Sequence, residues 1–216
     1  NLGSLVARFL FAPIEETYYT FFAGLLGQAS EKSHKGILMA VNTLKTLGTF
    51  IILVSLTIAV FAQAYSRLLL QMYGGSVMGE GVGPSLLRVY AVYVVFLGMN
   101  GITECFMMAS LTNTQVNTHN YYMMGFSIVY LGAAWWLTTQ FGSVGFILAN
   151  CVNMIARVGR SNFMIESFLH KHKETQVRPL RSCWPSTTVL AAFAFSFIVT
   201  KVSERYLCCT LALNVA

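Results

Sequence analysis

Long apolar runs separated by short polar loops dominate this chain. Six of them, at 3–27, 36–62, 84–111, 116–139, 143–169 and 186–207, are mostly hydrophobic from end to end. A helix needs about 20 such residues to cross a ~30 Å hydrocarbon core, so each run is long enough to span it with some tilt. A shorter stretch, AYSRLLLQMYGG (64–75), puts Leu68, Leu69 and Met72 on one helical face. That pattern predicts a separate amphipathic piece lying at the membrane interface after the second span. The connector GGSVMGEGVGP (74–84) is rich in glycine and ends at Pro84, a residue suited to the first turn of the next helix. No repeat, low-complexity tract or soluble domain interrupts the series. The expected fold is an all-α membrane protein of about six transmembrane helices.

Composition supports lipid as the solvent. Of 216 residues, 56% are hydrophobic and only 10% charged, against about 25% charged in an ordinary soluble domain. The chain begins at Asn1 without a cleavable signal pattern, which predicts an internal or carboxy-terminal portion of a longer membrane protein. The net charge of +6 sits mainly in loops such as HKHKETQVRPLR (170–181), a distribution that fits cytoplasmic retention and not nucleic-acid binding. The loops after the first, third and fifth spans together carry Lys32, Lys35, Lys171, Lys173, Arg178 and Arg181. Those after the second and fourth offer only Arg67 and, at the edge, Arg88. The positive-inside bias therefore places the first set in the cytoplasm and the start of the first span on the far side. Trp135 and Trp136 fit an interfacial belt on that far side. The five cysteines show no CxxC spacing and read as reduced packing residues.

Polar residues inside the apolar runs are the candidate chemistry, because a charge in hydrocarbon faces a bundle interior or a wet cavity. In the first run Arg8 and Glu15 are seven apart and share a face, with Glu16 about 80° round the helix. Pro13 lies between them and is expected to kink the helix. In the third run Asn100 and Glu104 share a face, while Gly98 and Gly101 allow a close helix neighbour. In the fifth, Asn150, Asn153 and Arg157 make one polar stripe, and Arg157 needs a partner at that depth. In the second, Asn42 and Lys45 are a turn apart, and Lys45 either joins the cavity or snorkels to the interface. Two uses remain open for this set. It can be structural, as ion pairs and interhelical hydrogen bonds, or it can line a transport cavity whose cations suit a phosphate or diphosphate. The chain contains no aspartate, no phosphate-binding glycine loop, no HExxH and no G-x-S-x-G, so no enzyme activity, metal or cofactor is expected. The histidines His34, His119, His170 and His172 are expected to be solvated in cytoplasmic loops or at their edges.

The words ARFLFAPIEETYYTFF (7–22), YGG (73–75), NGITECF (100–106) and GSVGFILANCVNMIAR (142–157) run in one order through the chain. Together they resemble the Rft family, the oligosaccharide-diphosphodolichol translocation proteins of the endoplasmic reticulum. The resemblance implies the multidrug/oligosaccharidyl-lipid/polysaccharide flippase superfamily, with about fourteen membrane helices in two similar bundles. This chain would supply most of the second bundle, with the amino-terminal bundle of the same protein absent. The implied function is transfer of a mannose-rich oligosaccharide-diphosphodolichol from the cytoplasmic to the luminal leaflet for N-glycosylation. A non-transporting scaffold in glycolipid supply, or an ion-coupled exporter, is the alternative. The implied partners are the glycolipid and membrane lipids, and Arg8, Glu15 and Glu16 would face the head group.

Overall fold

A computed structural model of the chain describes residues 5–27, 34–79, 81–172 and 183–213. Lys32, Lys173, Arg178 and Arg181, which the loop-charge argument used, lie outside the described residues, as does the side chain of Arg8. The described elements are helical. A π-helical segment, Val6–Phe11, runs into α1, Ala12–Gly27. Then come α2 (His34–Gly74), a single helical turn (Ser76–Gly79), α3 (Gly83–Ser110), α4 (Asn113–Phe141), α5 (Ser143–Lys171) and α6 (Thr187–Leu213).

Local sequence explains where these elements start and stop. Pro13 has no N–H and its ring crowds the carbonyl four residues back. The chain meets that demand with a wider π-helical stretch just before Pro13, and α1 begins at Ala12. The interfacial piece expected at 64–75 is not a separate element: α2 is one continuous helix of 41 residues. No glycine or proline lies between Gly48 and Gly74, so nothing in that stretch stops propagation. The stop comes at Gly75 (φ 72°), and Gly81 (φ 81°) sets the second bend of the connector. Pro84 occupies the first turn of α3, as expected. At the start of α4 the Thr112 backbone N–H donates to Gln115 Oε1 at 3.0 Å, satisfying a donor that the helix leaves over.

Helix α3 is the centre of the arrangement, packed against α1, α2 and α5, while α4 lies on α5 and α6 on α2 at the two flanks. Small residues let the axes approach. Gly98 faces Ile51, Phe11 and Ser55, and Gly145 lies directly against the Leu137 carbonyl across the α4–α5 hairpin. The core between α1, α2, α3 and α5 is aromatic and aliphatic, with Phe11, Phe22, Leu44, Ile51, Phe106 and Ile165 almost fully buried. Phe22 meets Phe106 edge to face at a centroid distance of 5.2 Å. Polar clips fasten the flank: Lys201 Nζ donates to the Gln63 carbonyl at 2.8 Å, and Gln63 Nε2 donates to the Arg88 carbonyl at 2.9 Å. Just before α6, Cys183 seats its thiol on the Leu44 carbonyl, and burial pushes that thiol up to about 11, with Lys45 pulling the other way. A thiol so rarely ionised is a packing residue, the role expected for it.

Much of the outer surface of α4 and α6 is apolar. Ile128, Val129, Leu131 and Trp135 of α4, and Phe195 and Ile198 of α6, are exposed. Two described helices, Lys35–Gly74 and Gly83–Ser110, are long and apolar enough to cross a membrane, and Thr187–Ser203 is a shorter apolar helix. The remaining helices are less clear-cut by composition. Helix α1 has only 16 residues. The start of α4 is polar, and α5 carries Arg157, Arg160, Glu166 and Lys171.

Candidate functional site

The sequence word NGITECF folds as two turns of α3, and its spacing decides what meets there. Asn100 and Glu104 are four apart, so Asn100 Nδ2 donates to Glu104 Oε2 at 2.8 Å along one helix face. Across from them on α5, Arg157 Nη2 donates to both Glu104 oxygens at 2.9 Å. This is the ion pair that Arg157 required at its depth. The two side chains are 29% and 26% exposed, so water screens the pair in part. Between Asn100 and Glu104, Gly101 has no side chain, and the carboxylate of Glu15 from α1 fills the space that a Cβ would take. The Cys105 thiol donates to the Glu15 backbone carbonyl at 3.4 Å and ties α1 to α3 beside it.

These groups line one cleft of about 340 Å³ between α1, α3 and α5. Its walls are Glu15, Asn100, Glu104 and Arg157, with Tyr19, Leu97, Gly101, Cys105 and Met108. Two carboxylates thus line a cleft with one guanidinium, and only Glu104 is paired with it. No ion pair or hydrogen bond to the Glu15 carboxylate is present among the described residues. Asn100 Oδ1 and Arg157 Nε are buried without a partner among them. The cleft therefore keeps one acceptor and one donor in reserve, beside a free carboxylate. A low-dielectric setting makes such unmet groups costly, which is why they mark places where a ligand or water completes the network.

The other sequence candidates lie elsewhere. Glu16 is exposed on α1, away from the cleft. Lys45 and Asn42 are exposed on α2. Asn150 donates to Tyr130 Oη at 3.2 Å and to the Phe146 carbonyl at 2.9 Å, an interhelical clasp of α5 to α4. Asn153 is half-buried on α5 and does not line the cleft. His119 corrects the expectation of a solvated histidine: it is 2% exposed, packed inside α4 against α5. One turn on, Tyr122 receives the Arg160 guanidinium 3.9 Å above its ring. Sequence reasoning missed Tyr19 and Cys105 as lining residues. For Cys105 a signal existed, since it directly follows Glu104 on a helix whose small residues face α1.

A helical bundle with large exposed apolar faces and a charged, incompletely satisfied cleft within is the build of a helical membrane protein. The Rft protein family matches residues 1–216, and the chain belongs to that family. It is 45% identical over 212 residues, 97% of its length, to the Man(5)GlcNAc(2)-PP-dolichol translocation protein RFT1 of Xenopus tropicalis. It is 42% identical over 213 residues to the protein of that name from Mus musculus. With the one from Saccharomyces cerevisiae it shares 38% over 176 residues, 81% of this chain and 30% of the yeast protein. The chain spans 39% of the length of the frog and mouse proteins. No solved structure matches it.

Proposed function

We propose that this chain forms part of a translocator that moves a mannose-rich oligosaccharide-diphosphodolichol from the cytoplasmic to the luminal leaflet of the endoplasmic reticulum membrane. It acts by transport and not by catalysis. The single observation that carries this is the α1–α3–α5 cleft, where Glu104, Arg157, Asn100 and the unpaired Glu15 collect charge among apolar helices. Its relatives are named for translocation of Man(5)GlcNAc(2)-PP-dolichol. A guanidinium with a spare N–H suits a diphosphate, and the carboxylates suit sugar hydroxyls. In this reading the six helices are most of the second bundle of a fourteen-helix flippase fold, and the exposed Glu16 faces the other bundle. Loop charge supports an orientation with Lys35 and Lys171 cytoplasmic. The test is reconstitution of the purified full-length protein in vesicles with radiolabelled Man(5)GlcNAc(2)-PP-dolichol, scoring transfer between leaflets. Transfer above protein-free vesicles that falls with Arg157→Gln supports the proposal, and no transfer sinks it.

A scaffold that supports glycolipid supply without moving it is the second reading. It is favoured by one feature: Arg157 and Asn100 already satisfy Glu104, so the pair can serve purely to lock α3 to α5. It predicts no leaflet transfer while N-glycosylation still depends on the protein.

A further inference from the structure

Helix α1 separates two clefts of opposite chemistry. On its α3 side lies the charged one. On its α2 side lies a second cleft of about 520 Å³, lined by Ile14, Tyr18, Asn42, Thr43, Thr46, Leu47 and Phe50. No charged side chain lines it, and its size falls within the ~300–1,000 Å³ of small-ligand sites. Its polar groups are three hydroxyls and one amide, set among an aliphatic floor and the rings of Tyr18 and Phe50.

The threonines give the decisive contrast. Helices α1 and α2 contain six of them. Thr17, Thr20, Thr49 and Thr57 each donate the hydroxyl to a carbonyl four residues back, the usual way a helix in apolar surroundings hides that group. Thr43 and Thr46, the two in the cleft, make no hydrogen bond to any described residue, and neither do Asn42 nor the Tyr18 hydroxyl. Asn42 and Thr46 are exposed and Tyr18 and Thr43 half-buried, so four neutral polar groups open on one cleft with their hydrogen bonds free for a partner that both donates and accepts. An anion or a cation would find no countercharge here. A polyhydroxylated neutral ligand finds alternating donors and acceptors, with aromatic rings for its C–H faces.

We propose that the α1–α2 cleft is a saccharide-binding subsite, taking neutral hexose units of the glycan, while the charged cleft across α1 serves the ionic end of the same head group. Its assignment to the glycan rests on the glycolipid reading above, and the experiment separates the two. Purified full-length protein in lipid nanodiscs is probed with α-1,2-mannobiose by saturation-transfer NMR. The Thr43→Val, Thr46→Val double variant keeps side-chain shape and removes only hydroxyls, and Phe50→Leu removes a ring but no polar group. Loss of two net hydrogen bonds predicts binding weaker by about tenfold in the double variant, with a smaller loss for Phe50→Leu at unchanged elution volume. Mannobiose that binds the parent and double variant equally overturns the subsite. So does a parent protein that sustains N-glycosylation yet shows no saturation transfer from mannobiose. Conversely, binding that the double variant loses, in a protein that moves no glycolipid, upholds the subsite and sinks the transport reading.

Discussion

Glu104 accepts hydrogen bonds from two side chains on two helices, so its ionised form is what the cleft is built around. Glu104→Gln would turn an amide N–H₂ toward groups that are themselves donors, Arg157 and Asn100. Breaking a buried pair costs about 3–5 kcal/mol, whereas exposed pairs contribute about 0–1 kcal/mol. With both side chains roughly a quarter exposed, the change should fall between those limits and lower the unfolding temperature of the full-length protein in detergent. The swap Glu104→Arg with Arg157→Glu tests what the pair is for. A transport cleft predicts restored abundance on immunoblot but hypoglycosylated reporter protein, because the cation has moved from α5 to α3. A purely structural pair predicts recovery of both. Gly101 offers an independent probe of Glu15. A Cβ there collides with the Glu15 side chain, a flexible group that can swing away. Gly101→Ala should therefore expel the carboxylate from the cleft with little loss of stability and a clear loss of function. Adding Glu15→Ala should produce no further functional loss, since both changes empty the same place; an additive double variant would show that the two residues act separately.

At the scale of elements, much was legible because membrane-length apolar runs are a strong and nearly context-free signal. The runs at 84–111 and 143–169 match α3 and α5 to within two residues. What failed to show was continuity and burial. AYSRLLLQMYGG has the amphipathic pattern of a separate helix, but periodicity cannot report a break where no glycine or proline makes one. His119 sits in a polar stretch, NTQVNTHN, so its burial depends on α5 arriving beside it, which no local pattern encodes. The same holds for the charged cleft. Spacing put Asn100 with Glu104 and left Arg157 seeking a partner, but only the packing of α5 on α3 joined them. The α4–α5 hairpin yields an element-scale test. Gly142 has φ 60° and ψ −142°, a conformation open to little but glycine. Gly142→Ala should cost on the order of 1–3 kcal/mol. The expected result is a lower unfolding temperature with leaflet transfer per folded molecule unchanged, since the turn lies away from both clefts. Transfer lost at an unchanged unfolding temperature would mean that the hairpin moves during the cycle.

On the scale of the whole molecule, exposure itself is informative. A lipid-facing surface sheds polar side chains, and the middle of α4 and of α6 does so, presenting Ile128, Leu131, Trp135 and Phe195. Helices α1 and α2 do not. Glu16, Thr20, Asn42, Lys45 and Thr46 are all exposed there. A carboxylate and an ammonium on the outward faces of apolar helices need something other than hydrocarbon against them, and the relatives are about two and a half times longer than this chain. We infer that this polar face of α1 and α2 looks toward the remainder of the protein across a wet cavity, and Glu16 is its sharpest probe. Because the Glu16 side chain is exposed and makes no ion pair or hydrogen bond among the described residues, Glu16→Lys should leave the abundance of the full-length protein unchanged. It should nevertheless cause hypoglycosylation, since it places a second cation beside the path of a diphosphate and holds it too long. Glu16→Gln keeps the hydrogen-bonding capacity, adds no cation, and should be milder. Immunoblot abundance beside the glycoform mobility of a reporter protein reads both quantities in the same cells. Normal glycoforms for Glu16→Lys at normal abundance would remove Glu16 from the transport path and leave the proposal to rest on the α1–α3–α5 cleft.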